Sequence, residues 1–268
     1  PRQRVNITAR HSPEFCVEVA VEPRGFTRLR RRTVGARFAR VLHGVGATVV
    51  ISARRAERLE LLAEQLPGAI VIPADVSDAT DRERLVAEAL ERAGRIDVLV
   101  NNAGISYIVG IEDETLEQFE RAMLVNTTAV WHMIKLCVPQ MAERGSGSIV
   151  NVASMLGLVG STPIKQANYC ASKGAVVNMT RELAVQLARK GIRVNSLCPG
   201  YFPSEMTESM VGDEGSERYI RTYSAIPRMG HVHELDGALL LLASAAGSYI
   251  TGHALLVEGL HDRAEGVV

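Results

Sequence analysis

The sequence predicts an α/β protein, a doubly wound parallel sheet in a single domain, on three observations. Short runs rich in Val and Ile alternate with amphipathic helical stretches from about Ala36 to the C-terminus. No linker rich in Pro, Gly or Ser interrupts that alternation. And 268 residues with 47% hydrophobic content suffice for one large core but not comfortably for two. Strands alternating with helices pack as a parallel sheet, because each helix carries the chain back to start the next strand in the same direction.

The strand candidates, in order, are ATVVIS (47–52), AIVIPADV (69–76), IDVLVNNAG (96–104), GSIVNVAS (147–154), IRVNSLCPG (192–200) and HALLVEG (253–259). They are mostly apolar, as strands buried on both faces must be. Between them AERLELLAEQL, DRERLVAEALERAG, LEQFERAMLVNTTAVWHMIKLCVPQMAERG and NYCASKGAVVNMTRELAVQLARKG space apolar residues three and four apart and end at Gly or Pro, the marks of amphipathic helices. Two of these are long, 116–143 and a helix beginning near Asn168 and running to 189. Right-handed crossovers put helices on both faces and leave ligand sites outside the carboxyl ends of the strands.

Several function classes are disfavoured. Apolar runs such as GALLLLASAAG (237–247) fall short of the roughly 18 residues of a membrane span, and no basic-then-apolar leader opens the chain. A cytoplasmic protein without membrane partners is expected. Cys16, Cys137, Cys170 and Cys198 lack C-x-x-C spacing, and His231 and His233 stand two apart, so neither a disulfide framework nor a metal site is expected. Net charge is zero, yet residues 1–40 hold ten arginines against Glu14, Glu18 and Glu22. Without interleaved aromatics or a recognition helix, that basic segment does not read as a nucleic-acid arm.

The chemistry gathers at one strand end. Ser154 closes GSIVNVAS, and the next helix sets Tyr169 and Lys173 four residues apart on one face. An amine held near a phenol favours the phenolate, and a phenol so tuned gives a proton to a carbonyl oxygen or takes one from an alcohol.

With NNAG (101–104), NVAS (151–154), YCASK (169–173) and VNSLCPG (194–200) in this order and spacing, the chain resembles the short-chain dehydrogenase/reductase family, in its 3-oxoacyl-reductase-like form. The likeness runs from Gly35 to about Gly259. It implies a Rossmann-like sheet and a catalytic tetrad of Asn126, Ser154, Tyr169 and Lys173. In family terms Tyr169 is the general acid/base, Ser154 hydrogen-bonds the substrate oxygen, Lys173 binds the nicotinamide ribose and lowers the Tyr pKa, and Asn126 holds a water in a proton relay. Asn102, Ala103 and Gly104 border the cofactor, Asp75 and Val76 contact the adenine edge, and Gly35, Pro199, Gly200 and Phe202 complete the cofactor set. Asn101 ties neighbouring strands through its amide.

NADP is the expected cofactor, with NAD as the alternative. An acid some 20 residues beyond the glycine turn would take the ribose hydroxyls of NAD, whereas Arg suits a 2′-phosphate. No acid occurs between Gly35 and Glu57, and Arg54 and Arg55 follow Ala53. The implied reaction interconverts a secondary alcohol and a ketone by hydride transfer. The implied assembly is a homo-oligomer, a dimer or tetramer, through copies of the two long helices.

Residues 1–33 depart from this pattern, and the family domain is placed at 34–268. The family's T-G-x-x-x-G-x-G turn, aligned on Gly35, puts Arg28 and Leu29 in place of T-G and Thr33 in place of the middle glycine. FCVEVAV (15–21) ends too early to lead into it without a long loop, and Leu260 replaces a second C-terminal glycine. An unusual but working phosphate loop, a non-catalytic scaffold subunit with a defective loop, and a misread frame up to about Thr33 are the three accounts. The last explains most with least, and it leads to the expectation that residues 1–33 pack poorly on the sheet and that NADPH binds weakly.

Overall fold

Among the described residues there are seven strands: Phe15–Val19 (β1), Thr48–Ser52 (β2), Ile70–Val71 (β3), Val98–Asn101 (β4), Gly147–Val152 (β5), Ile192–Pro199 (β6) and Ala254–Val257 (β7). In the computed structural model, which describes residues 15–19, 34–161, 163–204 and 206–259, they form one sheet in the order β3-β2-β1-β4-β5-β6-β7. Every pairing is parallel. The strand order reverses between β1 and β4, and at such a switch point the crossovers leave to opposite faces and open a crevice at the carboxyl edge.

β1 corrects one expectation. FCVEV pairs with β2 from Phe15↔Thr48 to Val19↔Ser52 and with β4 from Cys16↔Val98 to Val19↔Asn101. It therefore supplies the strand at the switch point, and the rest of residues 1–33 lies outside the described residues. A sheet of this winding needs a strand between β2 and β4, and a run of Phe, Cys and Val has the propensity to fill it. Arg28, Leu29 and Thr33, on which the expectation of a defective phosphate loop rests, lie outside the described residues, as does Leu260.

The helices are Val34–Gly44 (α1), Ala56–Ala63 (α2), Ala79–Ala93 (α3), Leu116–Met123 (α4), Ala129–Arg144 (α5), Ala167–Leu187 (α6), Glu214–Tyr223 (α7) and Asp236–Ala243 (α8). On one face Leu85 and Val86 of α3, Met133 and Ile134 of α5 and Val176 and Val177 of α6 pack against Leu99, Ile149 and Val194. On the other, Phe38 and Leu42 of α1 and Leu239 and Leu242 of α8 pack against Val49, Ile51, Val100, Val150 and Leu197. Neighbours such as Leu99 and Val100 thus serve opposite cores, as the pleat requires of a strand covered on both sides.

Two elements differ from the sequence reading. AIVIPADV yields only a two-residue β3: Pro73 has no N–H to give, and the rest of the run is held by single bonds from Ile72 N to Ile51 O and Ala74 N to Ala53 O. The helix expected over 116–143 is α4 and α5 joined by a π-helical turn, Leu124–Thr128, which bears on the site. Pro139 stands inside α5. The segment 201–227 contains α7, opened by Asp213 accepting from Ser216 N at 2.8 Å.

Candidate active site

Ser154 follows β5 and caps the short 3-10 turn Met155–Gly157, its Oγ accepting from Leu156 N at 3.1 Å. The turn then presses on α6. A Cβ at Gly157 would lie 2.7 Å from the Lys173 carbonyl oxygen, so only glycine lets Ser154 come this close to the helix carrying Tyr169. Ser154 favours the Tyr169 phenolate, opposing the effect of burial. Lys173, one turn on, donates from Nζ to the Val152 carbonyl at 2.7 Å and stands 5.7 Å from the centre of the Tyr169 ring.

Asn126 sits in the π turn. Helix interiors disfavour Asn because its amide competes for backbone bonds, but a π turn is frequent where a functional side chain must be re-aimed. Asn126 Oδ1 accepts from Ile105 N, and Nδ2 donates to Ile105 O and to Ser172 Oγ, each at 2.8 Å. Ser172 Oγ donates in turn to the Tyr169 carbonyl at 2.9 Å. The amide thus clamps the segment after β4 to α6. A Cβ on Gly104 would meet Lys173 Nζ at 3.4 Å and Asn126 Oδ1 at 3.5 Å, so the glycine keeps the space between them open.

Beneath this group runs a buried polar line. Asn101 Nδ2 donates to Asn151 Oδ1, Asn151 Nδ2 to Thr180 Oγ1, and Ser196 Oγ to the same Thr180 oxygen, each at 2.9 Å. Asn101 and Asn151 are register partners, so the asparagine ties β4 to β5 and both strands to α6.

Burial sets the electrostatics. It pushes the Tyr169 hydroxyl up to about 12, against the opposing pull of Ser154, and brings the Lys173 amine down to about 8. The family resemblance implies a phenol lowered by its lysine. Here desolvation is the largest influence on the phenol, and the Lys173 amine donates to the Val152 carbonyl.

Gly35, Asn102, Gly104, Ser154, Tyr169, Lys173, Pro199, Gly200 and Phe202 line one cavity of about 620 Å³. It reaches from the first turn of α1, past the end of β2, to Tyr169. Ala103 is buried beside it and Asn126 behind Lys173. Arg54, Asp75 and Val76 do not line it; Arg40 and Arg58 do. Burial disfavours the charged form of Asp75, but hydrogen bonds from Ser77 N and Oγ, with Arg54 and Arg121 nearby, outweigh it and hold the carboxyl below the usual range. The Val76 carbonyl accepts from Arg82, whose Nε donates to His132 Nδ1 at 2.9 Å.

The cavity fits a dinucleotide on an observation independent of motif. Ser52, at the carboxyl end of β2, is among the residues around the cavity, and its buried Oγ lacks a hydrogen-bond partner among the described residues. Buried hydroxyls in native proteins are satisfied, so an orphan beside a cavity marks a place for a ligand oxygen. Sequence reading passed over Ser52 because a serine at a strand end is unremarkable until its neighbours are known. At the far wall a Cβ on Gly200 would fall 2.6 Å from Glu258, so the turn after β6 is glycine to clear β7.

A parallel sheet with a switch-point crevice and a Ser, Tyr and Lys meeting at its carboxyl edge defines a nicotinamide-dependent oxidoreductase. The comparisons agree. A family model described as Enoyl-(Acyl carrier protein) reductase matches residues 29–260. Gluconate 5-dehydrogenase of Gluconobacter oxydans (strain 621H) is 36% identical over 236 residues, 85% of this chain and 90% of that protein. Dehydrogenase/reductase SDR family member 4 of Oryctolagus cuniculus is 38% identical over 232 residues, 84% of this chain and 88% of that protein. The crystal structure of a gluconate 5-dehydrogenase from Burkholderia cenocepacia J2315, in complex with NADP and tartrate, matches with a TM-score of 0.84 and 30% identity, covering 93% of this chain and 95% of that one. The chain belongs to the short-chain dehydrogenase/reductase family and is an NAD(P)-dependent oxidoreductase. The non-catalytic scaffold alternative finds no support among these relatives.

Proposed function

We propose that this chain interconverts a secondary alcohol and a ketone with NADP as cofactor. The observation that carries the reading is the convergence of Ser154, buried Tyr169 and, one helical turn on, Lys173 on the wall of one dinucleotide-sized cavity. When bound, NADP supplies or accepts the hydride. Ser154 and Tyr169 hold the substrate oxygen between their hydroxyls, and Tyr169 gives that oxygen a proton in reduction or takes one in oxidation. Lys173 holds the nicotinamide ribose and returns a proton toward Tyr169, and Asn126 fixes the chain segments around that relay.

The amides of the first α1 turn, where Gly35 sits, suit the pyrophosphate. Ser52 is assigned to the adenosine ribose, and Asn102, Ala103 and Gly104 to the cofactor's middle; Arg54 at the 2′-phosphate and Asp75 and Val76 at the adenine edge rest on the family resemblance, since they do not line the cavity. Pro199, Gly200 and Phe202 back the nicotinamide. NAD is the alternative where the 2′-phosphate contacts fail. Loss of NADPH absorbance on adding ketones, absent with heat-treated protein, tests the reading.

We further infer a cytoplasmic homo-oligomer, a dimer or tetramer. Leu116 of α4, Trp131 of α5 and Val185 of α6 are 72%, 45% and 78% exposed, apolar surface that a second copy would cover. Light scattering tests this, and a monomer mass would end it. No helix among the described residues is long and apolar enough to cross a membrane.

A further inference from the structure

We propose that this site takes a ketone or secondary alcohol bearing an apolar arm, rather than a polyhydroxylated acid of the gluconate kind. The proposal rests on the oxidoreductase reading above and names the substrate class of the same cavity.

Beyond Ser154 and Tyr169, the segments after β4, β5 and β6 bring Ile108, Leu156, Ile164, Met206 and Met210 into the wall. The polar Ser106, Gln166, Tyr201, Ser204 and Thr207 stand alongside them. Ile108 is 67% exposed and Met206 37%, so apolar surface stands open to whatever enters. Covering it with hydrocarbon is favourable, because water leaves both surfaces. The catalytic phenol is itself backed by hydrocarbon: Tyr169 packs in one cluster with Met155 and Leu156, flanked by Cys170 and Tyr201. Two unbranched thioethers in the wall adapt to differing shapes, so the arm can vary in form.

The polar side chains at this end are engaged with one another. Ser106 Oγ donates to Gln166 Oε1 at 2.9 Å, and Gln166 Nε2 donates to Ser161 Oγ at 2.8 Å. Thr207 Oγ1 donates to the Phe202 carbonyl at 2.6 Å and lies 3.1 Å from Ser204 Oγ. A polyol entering here would exchange its water shell for groups part of whose hydrogen-bonding capacity is already taken up, which disfavours it relative to an apolar arm.

A carboxylate fares worse. Among the described lining residues the cations are Lys173, Arg40 and Arg58. Lys173 Nζ is held by the Val152 carbonyl, and the two arginines stand on α1 and α2, at the other end of the cavity. A substrate anion placed beside Ile164 and Met210 would lose water without gaining a counter-charge.

The test is a steady-state comparison of the purified chain with NADPH and three probes: acetophenone, methyl hexyl ketone and 5-keto-D-gluconate. Expected is a kcat/KM at least tenfold higher for the two apolar ketones. Met206→Lys should raise the KM for methyl hexyl ketone at least threefold with kcat nearly unchanged. A preference for 5-keto-D-gluconate, abolished by Tyr169→Phe, would overturn the apolar-arm proposal and leave the oxidoreductase reading standing. An unchanged KM in Met206→Lys would also overturn it. Reduction of none of the three probes would sink both.

Discussion

Lys173 and Tyr169 are both buried, and the lysine ammonium, 5.7 Å from the tyrosine ring centre, is bonded to the Val152 carbonyl instead of the phenol. Burial moves the two groups in opposite senses along the pH scale, the amine down and the phenol up. Each is thereby held in its uncharged form over a wider range than in water.

A pH-dependent stability follows for Lys173. Its folded-state pKa of about 8 lies below the unfolded 10.5. Between those values the unfolded chain carries a proton that the folded chain lacks, so stability rises with pH across that window and the burial penalty is fully present below it. At about 1.4 kcal/mol per pH unit the effect is about 3 kcal/mol. Tyr169, Cys137 and Cys198, all raised by burial, act oppositely above about pH 9; Tyr169 and Cys137 cancel when the native chain is compared with Lys173→Met, and Cys198, which interacts with the Lys173 charge, cancels in part. Urea unfolding of both at pH 7 and pH 11 should show the native chain gaining on the variant by about that amount. An unchanged difference would mean that Lys173 keeps its proton when buried.

Ser52→Ala should separate stability from binding. The mutation removes a buried hydroxyl without a partner among the described residues, so the free protein should be as stable or up to about 1 kcal/mol more stable. If the hydroxyl meets a cofactor oxygen, NADPH should bind about fivefold more weakly, the worth of about 1 kcal/mol. Calorimetric titration with thermal unfolding reads both, and undiminished NADPH affinity would remove Ser52 from the cofactor site.

Gly157→Ala should impair turnover from outside the reacting atoms. Its Cβ would lie 2.7 Å from the Lys173 carbonyl, and because that atom is backbone, either the turn carrying Ser154 or α6 must move. Overpacking of this kind costs about 1–3 kcal/mol, and sub-ångström misplacement of a catalytic pair is felt in rate. The expected result is a lower melting temperature and a kcat down about tenfold. A variant as active and stable as the native chain would show that the turn and helix are not held in register here.

The strand and helix alternation from β2 onward was legible because strands buried on both faces have little choice but Val, Ile and Leu. Tyr169 and Lys173 were legible because a helix fixes which residues share a face. Other features depend on partners far along the chain. Nothing in LVNTT announces a π turn at Leu124–Thr128, since the widened turn serves Asn126 bonds to Ile105 and Ser172, 21 and 46 residues away. FCVEV was read as ending too early because short loops are the rule between a first strand and its helix. Its place between β2 and β4 becomes visible only through register. The burial around Tyr169 was not legible for a related reason: spacing reveals a neighbouring charge but not the hydrocarbon around it.

The central claim is that Tyr169 is the proton donor of a hydride-transfer site. Tyr169→Phe keeps the ring that fills the core beside Met155 and Leu156 and removes only the hydroxyl on the cavity wall. The most direct measurement is kcat for ketone reduction by the native chain and this variant, with NADPH affinity determined on both. The account predicts a fall of about 10² to 10⁴ in kcat with NADPH binding and melting temperature nearly unchanged. Full activity in Tyr169→Phe would contradict it.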